Sequence, residues 1–177
     1  MEKTPQDRIS SENLLKEEAL RFRAECNKAE QIGMRLIARA EQTQKGLSQK
    51  LKRRKCKDAC IQAVVARFVE IDLINDERYA ERWLRSRLSR KTNKNLSPRL
   101  LSLALSNRGI SREDQKNAFD RILDQDAEYK LLLHYMAREK AAKIPKAYSI
   151  RSHLKYEGFS SSVINLYFDE TESSIQS

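Results

Sequence analysis

The sequence has little glycine and little proline. Its 177 residues include four Gly and three Pro, too few for the turns that an all-β fold requires. It also lacks an apolar run long enough to span a bilayer, and its opening residues, MEKTPQDRIS, contain no hydrophobic signal core. With 40% hydrophobic and 34% charged residues, the composition predicts a globular, all-helical, cytoplasmic protein.

Cysteine and histidine are equally scarce. The three cysteines are an odd number and give no closed disulfide framework. Cys56 and Cys60 are spaced i, i+4 rather than as a C-x-x-C pair, and His134 and His153 lie far downstream. We therefore predict that all three cysteines are small apolar core residues and that no metal is bound.

Signatures of catalysis are missing as well. The four glycines lie at positions 33, 46, 109 and 158, so they cannot form a phosphate-binding loop. No nucleophile stands in a strand-to-helix elbow motif, and neither histidine has a triad context. Asp72, Asp76 and Glu77 are close in sequence, but the last two suit the first turn of a helix. The sequence thus predicts a protein that is not an enzyme and has no cofactor.

The net charge of +10 is concentrated in one segment. Residues 45–99 hold sixteen Lys or Arg against six Asp or Glu, whereas the chain before and after this segment is balanced. A localised basic field favours a polyanionic partner. Solvated surface charge on a soluble helical protein is the alternative interpretation.

One short pattern recurs three times, as LKRRKCK (51–57), LSNRGIS (105–111) and LKYEGFS (154–160). Each begins with leucine, reaches a helix stop after three residues, and continues with an apolar and then a polar residue. The recurrence predicts a tandem array of three three-helix repeats of roughly 50 residues. The predicted segments are a helical N-terminal extension (1–28), three repeats (29–74, 75–124 and 125–170) and a disordered tail (171–177).

Within the second repeat, several residues have predicted structural roles. Asp76 lies in the first turn of a helix that Asn75 can cap. Tyr79 and Trp83 fall on the apolar stripe of that helix. Gly109, like Gly158 in the third repeat, stands where the end of a helix requires positive φ.

Basic residues form three candidate surfaces for a partner or DNA. On the helix after Asn75, three arginines spaced i, i+4, i+7 form one ridge opposite the apolar stripe. A second group precedes this helix and a third follows it. The candidates are Arg78, Arg82 and Arg85 in the ridge; Lys50, Lys52, Arg53, Arg54, Lys55 and Lys57 upstream; and Arg90, Lys91 and Lys94 downstream.

The segment LINDERYAERWLRSRL (73–88) and the later LSNRGIS resemble the RecX regulators of the RecA recombinase. The resemblance runs from about Ala29 to Phe168 and includes the three-repeat plan. It is carried by Glu70, Leu73, Ile74, Asn75, Asp76, Tyr79, Ala80, Trp83, Leu105, Gly109, Ile110 and Ser111.

This resemblance implies a partner and an activity. It implies a protein that binds RecA filaments on single-stranded DNA, lies along the filament groove and modulates, by inhibition, ATP hydrolysis and strand exchange. The sequence itself shows no long exposed heptad pattern, which favours a monomer. The first repeat departs from the family, because Ala40-Glu41-Gln42 and Gly46 replace its arginine-rich helix end and acidic residue. Arg54-Lys55 replaces its Lys-Gly turn, so we expect this helix to end differently from the others.

Two other classes of protein compete with this interpretation. A helix-turn-helix DNA-binding protein uses three-helix units, but its candidate recognition helix here, SREDQKNAFDR, is charge-balanced. A protein-only scaffold of stacked helices would leave the basic segment without a role beyond solubility.

Overall fold

The computed structural model describes residues 5–89, 96–139 and 150–175, and every regular element within them is an α-helix. The predicted all-α fold of three three-helix repeats with a helical N-terminal extension is confirmed. No helix in these ranges is long and apolar enough to cross a membrane. The helices are α1 (Pro5–Arg39), α2 (Gln44–Arg53), α3 (Asp58–Glu70), α4 (Asp76–Leu88), α5 (Pro98–Asn107), α6 (Arg112–Ile122), α7 (Gln125–Glu139), α8 (Ile150–Tyr156) and α9 (Ser161–Ile175).

The last helix is longer than the sequence pattern predicts. α9 continues to Ile175, so the predicted disordered tail is wrong for residues 171–175. The Thr171 hydroxyl donates to the carbonyl oxygens of Tyr167 and Phe168, at 3.0 and 2.9 Å. A polar residue thus bonds to the preceding helical turn instead of ending the helix.

The chain divides into two compact units, Met1–Asn75 and Asp76–Ser177. In the first unit, α1 packs against both α2 and α3. Residues 16–25 of α1 are exposed, and burial along this helix begins at Cys26 and Ala29. The buried core of the unit consists of Ala29, Leu47, Leu51, Cys60, Ile61, Val64, Val65, Phe68 and Ile74.

Two features show how closely α1 approaches α3. A Cβ atom on Gly33 would lie 2.8 Å from Cε2 of Phe68, which is itself fully buried. Two turns earlier in α1, Cys26 forms a disulfide with Cys60 of α3, and their Cα atoms are 4.8 Å apart. The prediction that all three cysteines are free core residues is therefore wrong for this pair. Spacing alone could not reveal it, because the pairing depends on how α1 packs against α3.

The second unit contains the second and third repeats around one continuous core. Residues from α4, α5 and α6 pack with residues from α7, α8 and α9. Its fully buried side chains include Leu84, Leu101, Leu105, Leu132 and Leu154. Sharing one core lets these two repeats bury more apolar surface together than either could alone.

The turn between the second and third helix is the same in all three repeats. Its central residue has positive φ, +60° at Lys55 and +88° at Gly109 and Gly158. The next amide, on Cys56, Ile110 or Phe159, donates to a leucine carbonyl five residues earlier, at 3.1–3.3 Å. These are the bonds of a Schellman helix end. The expectation that the first repeat ends its helix differently is wrong: Lys55 adopts the conformation that glycine adopts in the other two.

A buried carboxylate joins the second and third repeats. Glu157, which is 5% exposed, follows α8. Its carboxylate accepts a 2.5 Å hydrogen bond from Ser97 and two bonds, of 2.9 and 3.2 Å, from the guanidinium of Arg99. Its backbone carbonyl accepts from the Arg99 amide at 3.0 Å. The end of α8 is thereby attached to the start of α5.

Burial alone would raise the pKa of the Glu157 carboxyl. The hydrogen bonds from Ser97 and Arg99, with the charges of Arg99 and His153, outweigh that effect and hold the pKa below its ordinary value. The ionised form is therefore the one that the fold stabilises.

We predict that Lys55→Gly stabilises the protein by about 1 kcal/mol, because glycine adopts positive φ without the steric cost of a Cβ atom. Urea unfolding measures the change. Lys55→Ala removes the same charge but keeps the Cβ atom, so its stability should stay near that of the wild type. Gly109→Ala should destabilise by about 1–2 kcal/mol. Equal stabilities for Lys55→Gly and Lys55→Ala would contradict this explanation.

We predict that Glu157→Gln destabilises the protein by about 2 kcal/mol near neutral pH, because charged hydrogen bonds are replaced by neutral ones. The pKa of Glu157 is lower in the folded protein than its ordinary value of 4.5, so the ionised carboxylate stabilises the fold fully at any pH above 4.5. This stabilisation is lost as the pH falls through the folded value. Urea unfolding of both proteins between neutral and acidic pH should show that the difference in their free energies of unfolding becomes smaller as the pH falls below the ordinary pKa. A difference that does not vary with pH would rule the account out.

We predict that the unreduced, denatured protein has one thiol that reacts with a maleimide, Cys56, and that reduction exposes the Cys26 and Cys60 thiols as well. Mass spectrometry of the labelled chain counts the adducts. Cys56→Ser is the control and should leave no reactive thiol before reduction. Labelling of all three cysteines without reduction would show that the pair is not bonded.

Candidate partner interface

The first candidate surface, the α2 basic end, consists of Lys50, Lys52, Arg53, Arg54, Lys55 and Lys57. All but the half-buried Lys50 are exposed. Lys50, Lys52, Arg53, Arg54 and Lys55 lie in the last turn of α2 or just after it, where cations interact favourably with the helix dipole. Lys57 is the N-cap residue of α3. The local structure thus gathers most of the upstream basic residues at one end of one helix.

Half of these cations are held by neighbouring side chains. The Lys50 ammonium donates to Gln42 at 2.6 Å, Lys52 lies 3.4 Å from Asp58, and Lys57 lies 2.7 Å from Glu25. The pairs of Lys52 and Lys57 are exposed and add little to stability.

The remaining cations differ in how they are held. Arg54 Nη1 donates to the Lys50 carbonyl at 3.2 Å, which positions its guanidinium over the helix end. Arg53 and Lys55 form no ion pair with any residue that the structure describes. These two charges are the ones most available to a partner.

A small cleft beside Arg54 was not predicted. It has a volume of about 170 Å³ and is lined by Ile32, Arg35, Leu36, Arg39 and Arg54. Arg35 and Arg39 are spaced i, i+4 near the end of α1, and this spacing was the available sequence signal. The net charge of residues 1–44 is zero, so counting charge over this segment did not indicate a local basic pair.

The second candidate surface is the α4 ridge, Arg78, Arg82 and Arg85. Arg82 and Arg85 are exposed, whereas Arg78 is half-buried. Arg85 forms an i, i+4 ion pair with Glu81 at 3.2 Å. The exposed members of the ridge are therefore Arg82 and Arg85, and the Arg85 charge is shared with Glu81.

Carboxylates on α4 connect this helix to α6. Arg121 reaches Glu77 at 2.5 Å and Glu81 at 2.8 Å, and Asn117 donates to Glu77 at 3.2 Å. The hydrogen bond to Glu81 and the charge of Glu77 raise the pKa of Arg121 above its ordinary value. This network holds α6 against α4.

Trp83 is less buried than its position on the apolar stripe predicts. It is half-buried and packs against the edge of the core. The guanidinium carbons of Arg87 and Arg108 lie 5.3 and 4.8 Å from its ring centroid. Two cations thus cover the part of the indole that the core leaves accessible. Asp76 is buried at the start of α4, and Tyr79 packs half-buried against the same core.

The third group of candidates, Arg90, Lys91 and Lys94, lies outside the described residues. Within those ranges, no group of three or more His, Cys, Asp or Glu side chains is arranged to hold a metal ion.

Comparison with known proteins identifies several relatives. A family model described as "RecX, second three-helix domain" matches residues 75–118. Regulatory protein RecX of Thermobifida fusca is 34% identical over 93 residues, covering 52% of this chain. The chain thus spans about half of that relative, 49% of its length. Regulatory protein RecX of Treponema pallidum is 28% identical over 120 residues, covering 68% of this chain and 71% of that protein.

Solved structures share the fold. The crystal structure of RecX from Lactobacillus salivarius has a TM-score of 0.62 at 21% identity, covering 84% of this chain and 97% of that one. A second crystal structure, of regulatory protein RecX, has a TM-score of 0.64 at 19% identity, covering 95% and 79%. The matched domain and the named relatives thus show that this chain is similar to RecX regulatory proteins, and the solved structures show that it shares their fold.

Proposed function

We propose that this protein binds RecA-type recombinase filaments on single-stranded DNA and restrains their ATP hydrolysis and strand exchange, without catalytic activity of its own. Similarity to relatives that are named regulatory proteins supports a regulatory role. The observation that carries the proposal is the exposed α2 basic end, within the segment that holds the whole charge excess. A filament on DNA presents a dense, repeating array of phosphates, to which such a surface is complementary.

The physical basis of restraint is differential binding. A ligand that binds the filament more tightly in one state than in the next slows passage between those states. The proposed contacts, Arg53, Lys55 and Arg54, are exposed and do not depend on unfolding any helix. The α4 ridge is the second contact surface in this proposal, with Arg82 and Arg85 as its exposed members.

A helix-turn-helix DNA-binding function is less well supported. α5 and α6 have the required order, but α6 uses Asn117 and Arg121 to hold α4. An amide and a guanidinium are the groups that read base edges in the major groove, and here both are occupied. On the exposed face of α6, Arg112 and Lys116 are opposed by Glu113 and Asp120.

We predict that Arg53→Glu/Lys55→Glu abolishes most of the protein's effect on the DNA-dependent ATPase of preformed recombinase filaments. Two cations facing phosphates or acidic side chains become anions, while the surface positions keep the fold intact. ATPase rates and co-sedimentation with filaments measure the loss.

The matched control is Lys130→Glu/Lys155→Glu, which makes the same charge change at exposed positions in the electrically balanced part of the chain. The control should behave like the wild type. If both variants lose their effect on the filament ATPase equally, the loss is due to the change in net charge and not to the α2 basic end. A wild-type protein without effect on filaments at any stoichiometry would refute the proposed function itself.

A further inference from the structure

The cleft beside Arg54 is lined by three arginines and two aliphatic side chains. Arg35 and Arg39 come from the end of α1, and Arg54 comes from the turn after α2. Ile32 and Leu36, both half-buried, form the floor. Helix α1 thus supplies the floor and two cations, and the end of α2 supplies the third.

None of the three arginines forms an ion pair with a carboxylate in the part of the chain that the structure describes. The side chains of Arg35 and Arg39 form no hydrogen bond with a described residue either. The nearest acidic residue before Arg35, Glu30, is paired with Arg67 at 3.1 Å. Arg54 is bonded only to a backbone carbonyl, which leaves its charge uncompensated. Three exposed arginines thus line one cleft without an ion-pair partner, which leaves their positive charge available to a bound anion.

From this arrangement we infer that the cleft binds a phosphodiester group of single-stranded nucleic acid. Guanidinium groups match the paired oxygens of a phosphate in geometry as well as in charge. The aliphatic floor suits the sugar beside each phosphate, which a free inorganic anion lacks. Arg53 and Lys55 continue the positive charge beyond the cleft, as a backbone with regularly spaced phosphates requires.

The inference deepens the proposed function, because it assigns the DNA strand rather than the recombinase to this end of α2. It rests on that function only for the source of the nucleic acid. The cleft itself can be tested on the purified chain with naked oligothymidylate, without any recombinase.

The variant Arg35→Gln/Arg39→Gln removes two of the three cations and retains helix-forming side chains of similar length. Its matched control, Arg21→Gln/Arg23→Gln, makes the same charge change at exposed positions of the same helix, outside the cleft. Fluorescence anisotropy with labelled oligothymidylate should show weakening of about tenfold or more for the cleft variant. The slope of log affinity against log salt should fall by about 0.7 for each phosphate that the variant no longer binds. The control should keep the wild-type slope.

Competition separates the possible ligands. Inorganic phosphate should displace oligothymidylate only weakly, because it gains nothing from the apolar floor. Wild-type affinity and an unchanged salt slope in the cleft variant would overturn the inference. Cleft-dependent binding of polyglutamate without binding of oligothymidylate would also overturn it and would identify an acidic protein surface as the ligand. Either result leaves the filament ATPase assay, and with it the proposed function, to be judged separately.

Discussion

The helix-ending turn in each repeat is the constraint on which the rest of this structure depends. At Lys55, Gly109 and Gly158 the chain takes positive φ, and the following apolar residue bonds back to the preceding helix. This geometry sets the direction in which the third helix of the repeat leaves the second. The leucine that accepts this bond, such as Leu105 or Leu154, is fully buried. One backbone conformation thus fixes both a helix end and a core position.

The three copies of this turn carry different side chains at the position before the left-handed residue. In the first two repeats, Arg54 and Arg108 fold back and donate to a carbonyl four residues earlier, at 3.2 and 2.6 Å. In the third, Glu157 instead reaches Ser97 and Arg99 at the start of α5. The same backbone therefore serves as a basic helix end in one repeat and as a junction between repeats in another.

The distribution of charge follows from this difference. In the first repeat, Arg53, Lys55, Arg35 and Arg39 form no ion pairs with described residues. In the second repeat, α4 and α6 pair Glu77 and Glu81 with Arg121. The available positive charge is consequently concentrated at the end of α2, which is why the proposed contacts lie there.

The sequence by itself determined the helical class, the three repeats and the position of each helix-ending turn, because helix periodicity, caps and stops act over a few neighbouring residues. The match of residues 75–118 to a three-helix domain agrees with that local origin. Only the tertiary structure decided that Cys26 bonds to Cys60 and that Trp83 is half-buried beneath Arg87 and Arg108. It also decided that Arg35 and Arg54 line the same cleft. Each of these depends on how separate helices pack. At Lys55 both levels contribute. The sequence marks the position of the turn, and the surrounding structure holds Lys55 at a positive φ that a residue with a Cβ atom disfavours.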